Sequence, residues 1–115
     1  MTDLHEHDEA RGHSLVPTPE ELVAMPRLYA TDGKPFAQKV IHLRYFAGSS
    51  AQWLIAEADP ASWVMFGWCD LGLGMPEWGY VSLHELAGLR LSVPYPAFAE
   101  RDLYWSPRTF GECGV

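Results

Sequence analysis

The sequence predicts a small α+β domain in which an antiparallel sheet, built as a meander, carries one or two short helices packed on it. Three observations lead to this prediction. The chain has 115 residues, enough to bury one core but not two independent ones. Its middle part alternates apolar and polar residues with the period of a strand, and short turns separate the successive runs. Two other segments carry the capping signals of helix starts.

Residues 1–14 contain four acidic residues, three histidines and almost no apolar side chain. A segment of this composition cannot bury enough apolar surface to order itself, so we expect a disordered tail before a single domain over residues 15–115. The histidines, with the carboxylates around them, are weak candidates for zinc or nickel binding: His5, His7 and His13. Because flexible tails bind metals without fixed geometry, we expect neither a metal site nor a cofactor.

The first predicted helix lies in the segment "VPTPEELVAMP". Thr18 is placed to cap its N-terminus, Pro19 stands at the first helical position, and Glu21 completes a capping box. Pro26 cannot continue a helix, so we expect this one to end near Met25.

Four runs of residues predict the strands. The first, "QKVIHLRYF", places Ile41, Leu43 and Tyr45 on one side and polar residues such as His42 on the other. The runs "AQWLIAEA" and "SWVMFGWC" supply the second and third strands, and residues 78–81 supply the fourth. The turns between these runs are short, including one at Gly48-Ser49-Ser50, which favours an antiparallel meander.

The second predicted helix lies in "SLHELAGL". Ser82 stands where an N-cap belongs, and Glu85 follows three residues later to complete a capping box. Val81 and Leu86 occupy the staple positions that fix how the chain enters a helix. This interpretation gives the segment a structural role.

The end of the chain is interrupted by Pro94 and Pro96, and Asp102–Trp105 then offers a further strand or extended edge segment. Edge strands present unpaired backbone groups that can pair with a second copy. Because Pro107 and nearby charges guard this edge, we expect a monomer or a weak dimer.

The charge and the cysteine count exclude several classes of protein. A formal net charge of −7 argues against direct binding to nucleic acid or to an anionic membrane, because both need a basic surface. There is no signal-peptide pattern and no apolar stretch near the length of a membrane span. Two cysteines, Cys69 and Cys113, cannot form a disulfide framework, so we expect free thiols in a cytoplasmic protein.

Four segments follow one another along the chain: "MPRLYATDG", "WLIAEADP", "FGWCDLGLGMPEWGYVSLHEL" and "ERDLYWSPRTF". Together they resemble the bacterial and phage family known as domain of unknown function 2958, over residues Glu20 to Phe110. The resemblance implies a small, stand-alone protein of the kind commonly encoded on plasmids, phages and other mobile elements. It supplies no catalytic residues, because the family has no agreed activity.

An enzymatic interpretation depends on acid–base residues that are scattered in the sequence. A small hydrolase or nucleotide-handling enzyme would have to bring several of them within reach of one substrate. Asp70 and Glu77 would then act as paired carboxylates, whereas His84 lacks the second histidine that a metalloprotease helix carries four residues later. The candidate catalytic residues are His42, Asp70, Glu77, His84 and Asp102.

A binding interpretation depends on the distribution of charge. Between Arg44 and Arg90 there is no lysine or arginine, although acids and tryptophans are frequent there. Acids beside large aromatic side chains favour an acidic face with aromatic anchors, which suits a partner with a basic surface. The alternative is that the tryptophans form the core and the acids keep the surface soluble. The candidate partner-binding residues are Trp78, Glu77, Asp70, Glu57 and Asp59.

The sequence therefore favours a non-enzymatic protein-binding module of a phage or other mobile element. We expect its partner to be a host or phage protein with a basic surface. The expected role is inhibition of a host defence complex, of the restriction or CRISPR type. The hydrolase or nucleotide-handling enzyme remains the alternative.

Overall fold

The computed structural model describes residues 3–48, 50–91 and 97–115, and a five-stranded antiparallel sheet organises them. The strand order is β5-β4-β3-β2-β8, so four consecutive strands form a meander and a late strand returns beside β2. The predicted α+β class and antiparallel meander are confirmed. The strands of this sheet are β2 (Leu43–Ala47), β3 (Ala51–Asp59), β4 (Val64–Asp70), β5 (Glu77–Ser82) and β8 (Glu100–Arg101).

Short elements surround the sheet. Two further two-stranded ladders pair β1 with β9 and β6 with β7. These strands are β1 (Val40–Ile41), β6 (Arg90–Leu91), β7 (Ala97–Phe98) and β9 (Arg108–Thr109). The helices are α1 (Asp8–Arg11), α2 (Pro19–Ala24) and α3 (Leu83–Gly88), with 3₁₀ turns at Phe36–Gln38 and Phe110–Cys113.

Both faces of the sheet are apolar, and other segments of the chain pack on each of them. One face, called here the helix face, carries Leu43, Tyr45, Ile55 and Met65 and packs against the residues of α3. The opposite face, called the aromatic face, carries Leu54 and four aromatic side chains of β4 and β5: Phe66, Trp68, Trp78 and Tyr80. The C-terminal segment covers part of the aromatic face through Trp105 and Phe110.

A β-bulge in β3 brings two backbones into close approach. The register between β3 and β4 shifts between Ile55 and Glu57, and Gly67 of β4 lies at this point. A Cβ atom on Gly67 would come 2.0 Å from the carbonyl oxygen of Leu54, so only glycine fits there.

The first predicted helix is confirmed with its cap. Thr18 Oγ1 accepts a hydrogen bond from the Glu21 N–H at 3.2 Å, and Glu21 Oε1 accepts one from the Thr18 N–H at 2.8 Å. The helix α2 begins at Pro19, and Met25 is its C-cap.

The second predicted helix exists as α3, but its cap differs from the expected capping box. Ser82 Oγ accepts its hydrogen bond from the His84 N–H at 3.1 Å rather than from the Glu85 N–H. Glu85 is exposed, so its carboxylate is directed to the protein surface.

The N-terminal segment differs from the expected disordered tail. Leu4 packs against the core, and the buried guanidinium of Arg11 donates hydrogen bonds to the carbonyl oxygens of Ala99 and Ala87. Asp8, at 3.0 Å, compensates the charge of Arg11. Composition alone could not show this, because one arginine and one leucine anchor the segment to residues far away in the chain.

The end of the chain also differs from the sequence prediction. The edge strand is β8 rather than residues 102–105, where the Trp105 N–H donates to the Asp102 carbonyl and closes a turn. The predictions on Ser49, Pro94 and Pro96 fall outside the described residues.

Candidate functional site

The strand β5 forms one border of the main sheet. It pairs with β4 from Glu77, opposite Cys69, to Ser82, opposite Val64, and within the described residues no strand lies on its other side. In an antiparallel strand, alternate residues direct their N–H and C=O groups away from the paired neighbour. The border of β5 is therefore a row of backbone donors and acceptors available to an added strand.

A cleft of about 380 Å³ adjoins β5 on the helix face. We call it the β5 cleft. The apolar part of its wall comes from β5, from α3 and from the loop before β5, and two carboxylates, those of Glu77 and Glu85, stand among these side chains. Its apolar lining includes Leu71, Met75, Val81 and Leu86.

The loop of residues 71–76 exposes three large apolar side chains in succession. The exposed fractions are 57% for Leu71, 73% for Leu73 and 80% for Met75. The conformation of the loop is fixed at its start, where the carboxylate of Asp70 accepts a hydrogen bond from the Gly72 N–H at 2.8 Å. Gly72 has a left-handed φ of 79°, which glycine adopts without strain. Leu71 and Met75 line the β5 cleft, so the loop presents an apolar rim at its entrance, and Leu73 extends the exposed apolar surface of the same loop.

The thiol of Cys69 lines the β5 cleft, but it is not activated as a nucleophile. Burial, with a further contribution from the nearby Glu77 carboxylate, raises the pKa of Cys69 to about 11. A thiol with this pKa is protonated at neutral pH and is a weak nucleophile.

Trp78, the first candidate anchor, lies on the aromatic face among three phenylalanines. Its ring stacks on Phe36 with a centroid distance of 4.5 Å and an interplanar angle of 14°. It also contacts Phe66 at 5.7 Å and Phe110, edge-on, at 5.0 Å. Trp78 is therefore half-buried within the protein's own aromatic cluster, while its neighbour Glu77 points to the opposite face.

Two other tryptophans lie in the core, as the alternative interpretation of the sequence expected. Trp53 is 5% exposed and lies in the core of the helix face, and Trp68 is 9% exposed in the core of the aromatic face. Beside β5, the apolar groups exposed to a partner include the aliphatic side chains of the loop, which sequence reasoning missed.

Glu57 was expected on the acidic face but is buried, with 1% of its surface exposed. Its carboxylate accepts hydrogen bonds from the backbone N–H groups of Tyr29, at 2.8 Å, and Thr31, at 3.1 Å, and from the Thr31 hydroxyl. The buried ammonium of Lys39 in turn donates to Thr31 Oγ1 at 2.8 Å and to the Thr31 carbonyl. Thr31 thus bridges a buried negative and a buried positive charge, and Glu57 has no surface to offer a partner.

Asp59, another candidate on the acidic face, organises the turn after β3. Its carboxylate accepts hydrogen bonds from the Ser62 hydroxyl at 2.7 Å and the Ala61 N–H at 3.0 Å. These hydrogen bonds lower the pKa of Asp59, the one from the Ser62 side chain most strongly.

The five candidate catalytic residues are not brought together. Asp70 and Glu77 project from opposite faces, because Glu77 pairs with Cys69, the residue before Asp70. Of the five, Glu77 alone lines the β5 cleft. His84 is half-buried in the first turn of α3.

His42 and Asp102 lie next to β2, towards the edge of the sheet opposite to β5. The N–H of His42 donates to the Ile55 carbonyl, and burial lowers the pKa of its imidazole. The Asp102 carboxylate accepts from Arg44 Nη1 at 3.4 Å. Strands lie about 4.8 Å apart, so the backbone of His42, at the position of β2, lies two spacings or roughly 10 Å from β4, which carries Asp70, and three spacings or roughly 14 Å from β5, which carries Glu77. Asp102 bonds to Arg44 from the β8 side and is one spacing further away.

The three histidines before α2 have separate partners. His5 Nδ1 lies 2.6 Å from Asp8 Oδ2, the ring of His7 contacts Phe98, and His13 Nε2 accepts a hydrogen bond from the Arg101 N–H at 3.0 Å. Across residues 3–48, 50–91 and 97–115, no group of three or more His, Cys, Asp or Glu side chains is arranged to hold a metal ion.

Comparisons with known proteins give one match. A family model described as a protein of unknown function (DUF2958) matches residues 22–110. Searches of curated proteins and of solved structures found no match. Within the described residues, no helix has the length and apolar character needed to cross a membrane.

Proposed function

The chain belongs to the family DUF2958, and because this family has no known function, we propose from the geometry alone that the protein is a non-enzymatic protein-binding module. Its site is the border of β5 together with the β5 cleft. The observation that carries the proposal is the exposed apolar rim of Leu71, Leu73 and Met75 beside an available strand border. Large apolar side chains exposed together on one loop commonly mark an interaction surface.

The binding mode that suits this surface is strand addition. An extended segment of the partner pairs with β5 through its main chain, and every second side chain of that segment enters the β5 cleft. Each main-chain hydrogen bond contributes about 1 kcal/mol net. The apolar rim supplies the additional burial that backbone pairing alone lacks.

The carboxylates define the chemistry of the partner. Glu77 and Glu85 line the cleft, and the whole chain has a formal net charge of −7. A segment that alternates apolar residues with lysine or arginine complements both the rim and the carboxylates. Complementary charge also speeds the encounter and disfavours acidic competitors.

A narrower form of the proposal gives the partner a biological setting. In it, the partner is a basic subunit of a host restriction or CRISPR complex, and the protein is a cytoplasmic product of a phage or other mobile element. The motivation is the acidic surface and the setting that the family resemblance implies. Both cysteines are free thiols, the state that a reducing compartment maintains.

Selection from a displayed library of short peptides tests the binding mode. We expect enrichment of sequences that alternate apolar and basic residues, with affinity that falls as salt is raised. The double variant Glu77→Lys/Glu85→Lys is expected to bind a selected peptide at least about tenfold more weakly. N-methylation of alternate peptide bonds is expected to abolish binding, because it removes the donors that pair with β5.

The matched control is Glu6→Lys/Glu9→Lys, which changes the net charge equally at exposed positions away from the cleft. Equal loss in both double variants would contradict a local role for Glu77 and Glu85. For the narrower form, expression in a bacterial host should protect an incoming plasmid or phage from restriction or CRISPR interference. An absence of protection would overturn that form while leaving the binding mode to the peptide experiment.

A further inference from the structure

A second cleft, again of about 380 Å³, lies beside the aromatic face. We call it the Lys39 cleft. Its walls are formed by the rings of Phe36 and Phe66, its polar groups are Lys39, Lys34 and the carboxylate of Asp32, and Pro35 completes the lining. Apolar walls with a few convergent polar groups are the usual composition of a small-molecule site.

The ring of Phe36 offers an open stacking surface. One of its faces is covered by Trp78, at a centroid distance of 4.5 Å, yet half of the residue remains exposed. Phe36 lines the Lys39 cleft, so part of its exposed ring surface borders that cleft. A planar ring placed there extends the stack formed by Trp78 and Phe36, and stacking of this kind accepts any flat aromatic system.

The ammonium of Lys39 supplies a fixed donor in the same cleft. Lys39 is 3% exposed, and its Nζ donates two hydrogen bonds to Thr31, one to the carbonyl and one to the hydroxyl. An ammonium has three N–H donors, so beyond these two hydrogen bonds, and within the part of the chain that the structure describes, one N–H is left for an acceptor on a ligand. Nζ lies 5.9 Å and 5.8 Å from the ring centroids of Phe36 and Phe66, between the two aromatic walls.

The charges of the Lys39 cleft favour a ligand that both donates and accepts hydrogen bonds. Lys39 is balanced by Glu57 through Thr31, and at the rim exposed Lys34 stands with exposed Asp32. A simple anion would gain from the lysines and lose to the carboxylates. A nucleobase has a flat ring for stacking and an edge with both ring or carbonyl acceptors and N–H donors, so it matches all of these groups.

We propose that the Lys39 cleft is a binding site for the base of a free nucleoside. The ring stacks on Phe36, a base acceptor receives the third N–H of Lys39, and base donors face Asp32. The net charge of −7 disfavours a polynucleotide, whose phosphates need a basic surface. The site uses neither the border of β5 nor Glu77 and Glu85, so it stands independently of the proposed function.

Titration of the full chain with adenosine, guanosine, cytidine and uridine, followed by two-dimensional amide NMR, tests this site. At least one nucleoside is expected to give saturable shifts centred on residues 31–39 and 66. The variant Phe36→Ala, at a half-exposed position, is expected to weaken this binding at least about tenfold. Tyr104→Ala is the matched control, because that ring is 93% exposed and lies outside the cleft, and it should bind as the wild type does.

Three outcomes would overturn the assignment. One is the absence of saturable shifts with all four nucleosides. Another is equal affinity of Phe36→Ala and wild type, with the spectrum of the variant confirming its fold. The third is tighter binding of an oligonucleotide than of its nucleosides, which would indicate a strand-binding surface.

Discussion

The phenolic hydroxyl of Tyr45 donates a hydrogen bond of 2.7 Å to the carbonyl oxygen of Leu15, and both side chains are completely buried. This contact connects the chain before α2 to strand β2 of the main sheet, across 30 positions of sequence. It satisfies two polar groups that would otherwise be buried without partners.

Removal of the Tyr45 hydroxyl should therefore destabilise the fold. We expect Tyr45→Phe to lower the free energy of unfolding by about 1–3 kcal/mol, because the Leu15 carbonyl is left without its donor. Urea denaturation followed by tryptophan fluorescence measures the change. Tyr104→Phe, at an exposed position, is the control and should leave the midpoint unchanged. Equal midpoints for Tyr45→Phe and wild type would mean that water or another donor replaces the hydroxyl.

The same tyrosine predicts a loss of stability at alkaline pH. Burial raises the pKa of Tyr45 above its ordinary value of 10.0. Above pH 10.0 the unfolded chain releases this proton while the folded chain retains it, so the stabilising contribution is complete below that pH and declines as pH rises.

Wild type should consequently lose stability more steeply than Tyr45→Phe above this pH. Cys69, whose pKa burial raises to about 11, contributes equally in both proteins and cancels in the comparison. Thermal melts across the alkaline range supply the measurement. Parallel curves for the two proteins would contradict a buried, neutral Tyr45.

Two glycines paired across β4 and β5 should lose very different amounts of stability on the same substitution. Gly67→Ala forces a Cβ atom against the Leu54 carbonyl, and we expect a loss of about 3 kcal/mol or failure to fold. Gly79, its partner in the register, has open space at its Cβ position, so Gly79→Ala should cost less than about 1 kcal/mol. Chemical denaturation of both variants decides the matter, and similar losses would refute the close approach at the bulge.

Trp78 should behave as a structural residue in a stability measurement. Truncation of a large buried aromatic side chain costs about 3–5 kcal/mol, and because Trp78 is half-buried we expect Trp78→Ala to cost about 2 kcal/mol. Trp78→Phe, which keeps a ring against Phe36, should cost less. If Trp78→Ala and wild type have the same denaturation midpoint, the contacts of Trp78 with its aromatic neighbours do not stabilise the fold. That result would favour the interpretation of Trp78 as an anchor for a partner.

The sequence predicts the fold well where local chemistry determines it. Thr18, Pro19 and Glu21 form their capping box among neighbours in the chain, and the alternation of Leu43 and Tyr45 with polar residues follows from the geometry of one strand. Ser82 is an N-cap for the same reason, although its hydrogen bond comes from a different N–H than expected.

The site is less predictable because it depends on pairs distant in sequence. From the sequence alone, Glu57 is expected to be a surface acid. Its burial depends on contacts with Thr31 and, through it, with Lys39, which form only when the turn before β1 packs against β3. One signal was present, since Glu57 stands in a run of otherwise apolar residues, "WLIAEA". Arg11 likewise has no local indication of its contacts with Ala87 and Ala99.

The position of Leu15 bears on which part of the chain belongs to the folded domain of this family. It is completely buried in the core of the helix face, yet it precedes residues 22–110, the part that the family model matches. Arg11 and Leu4, also ahead of that part, pack on the same body. The residues that pack in and on the core therefore extend beyond the part that the family model matches. A relative with a different leading segment must fill the space of Leu15 by other means.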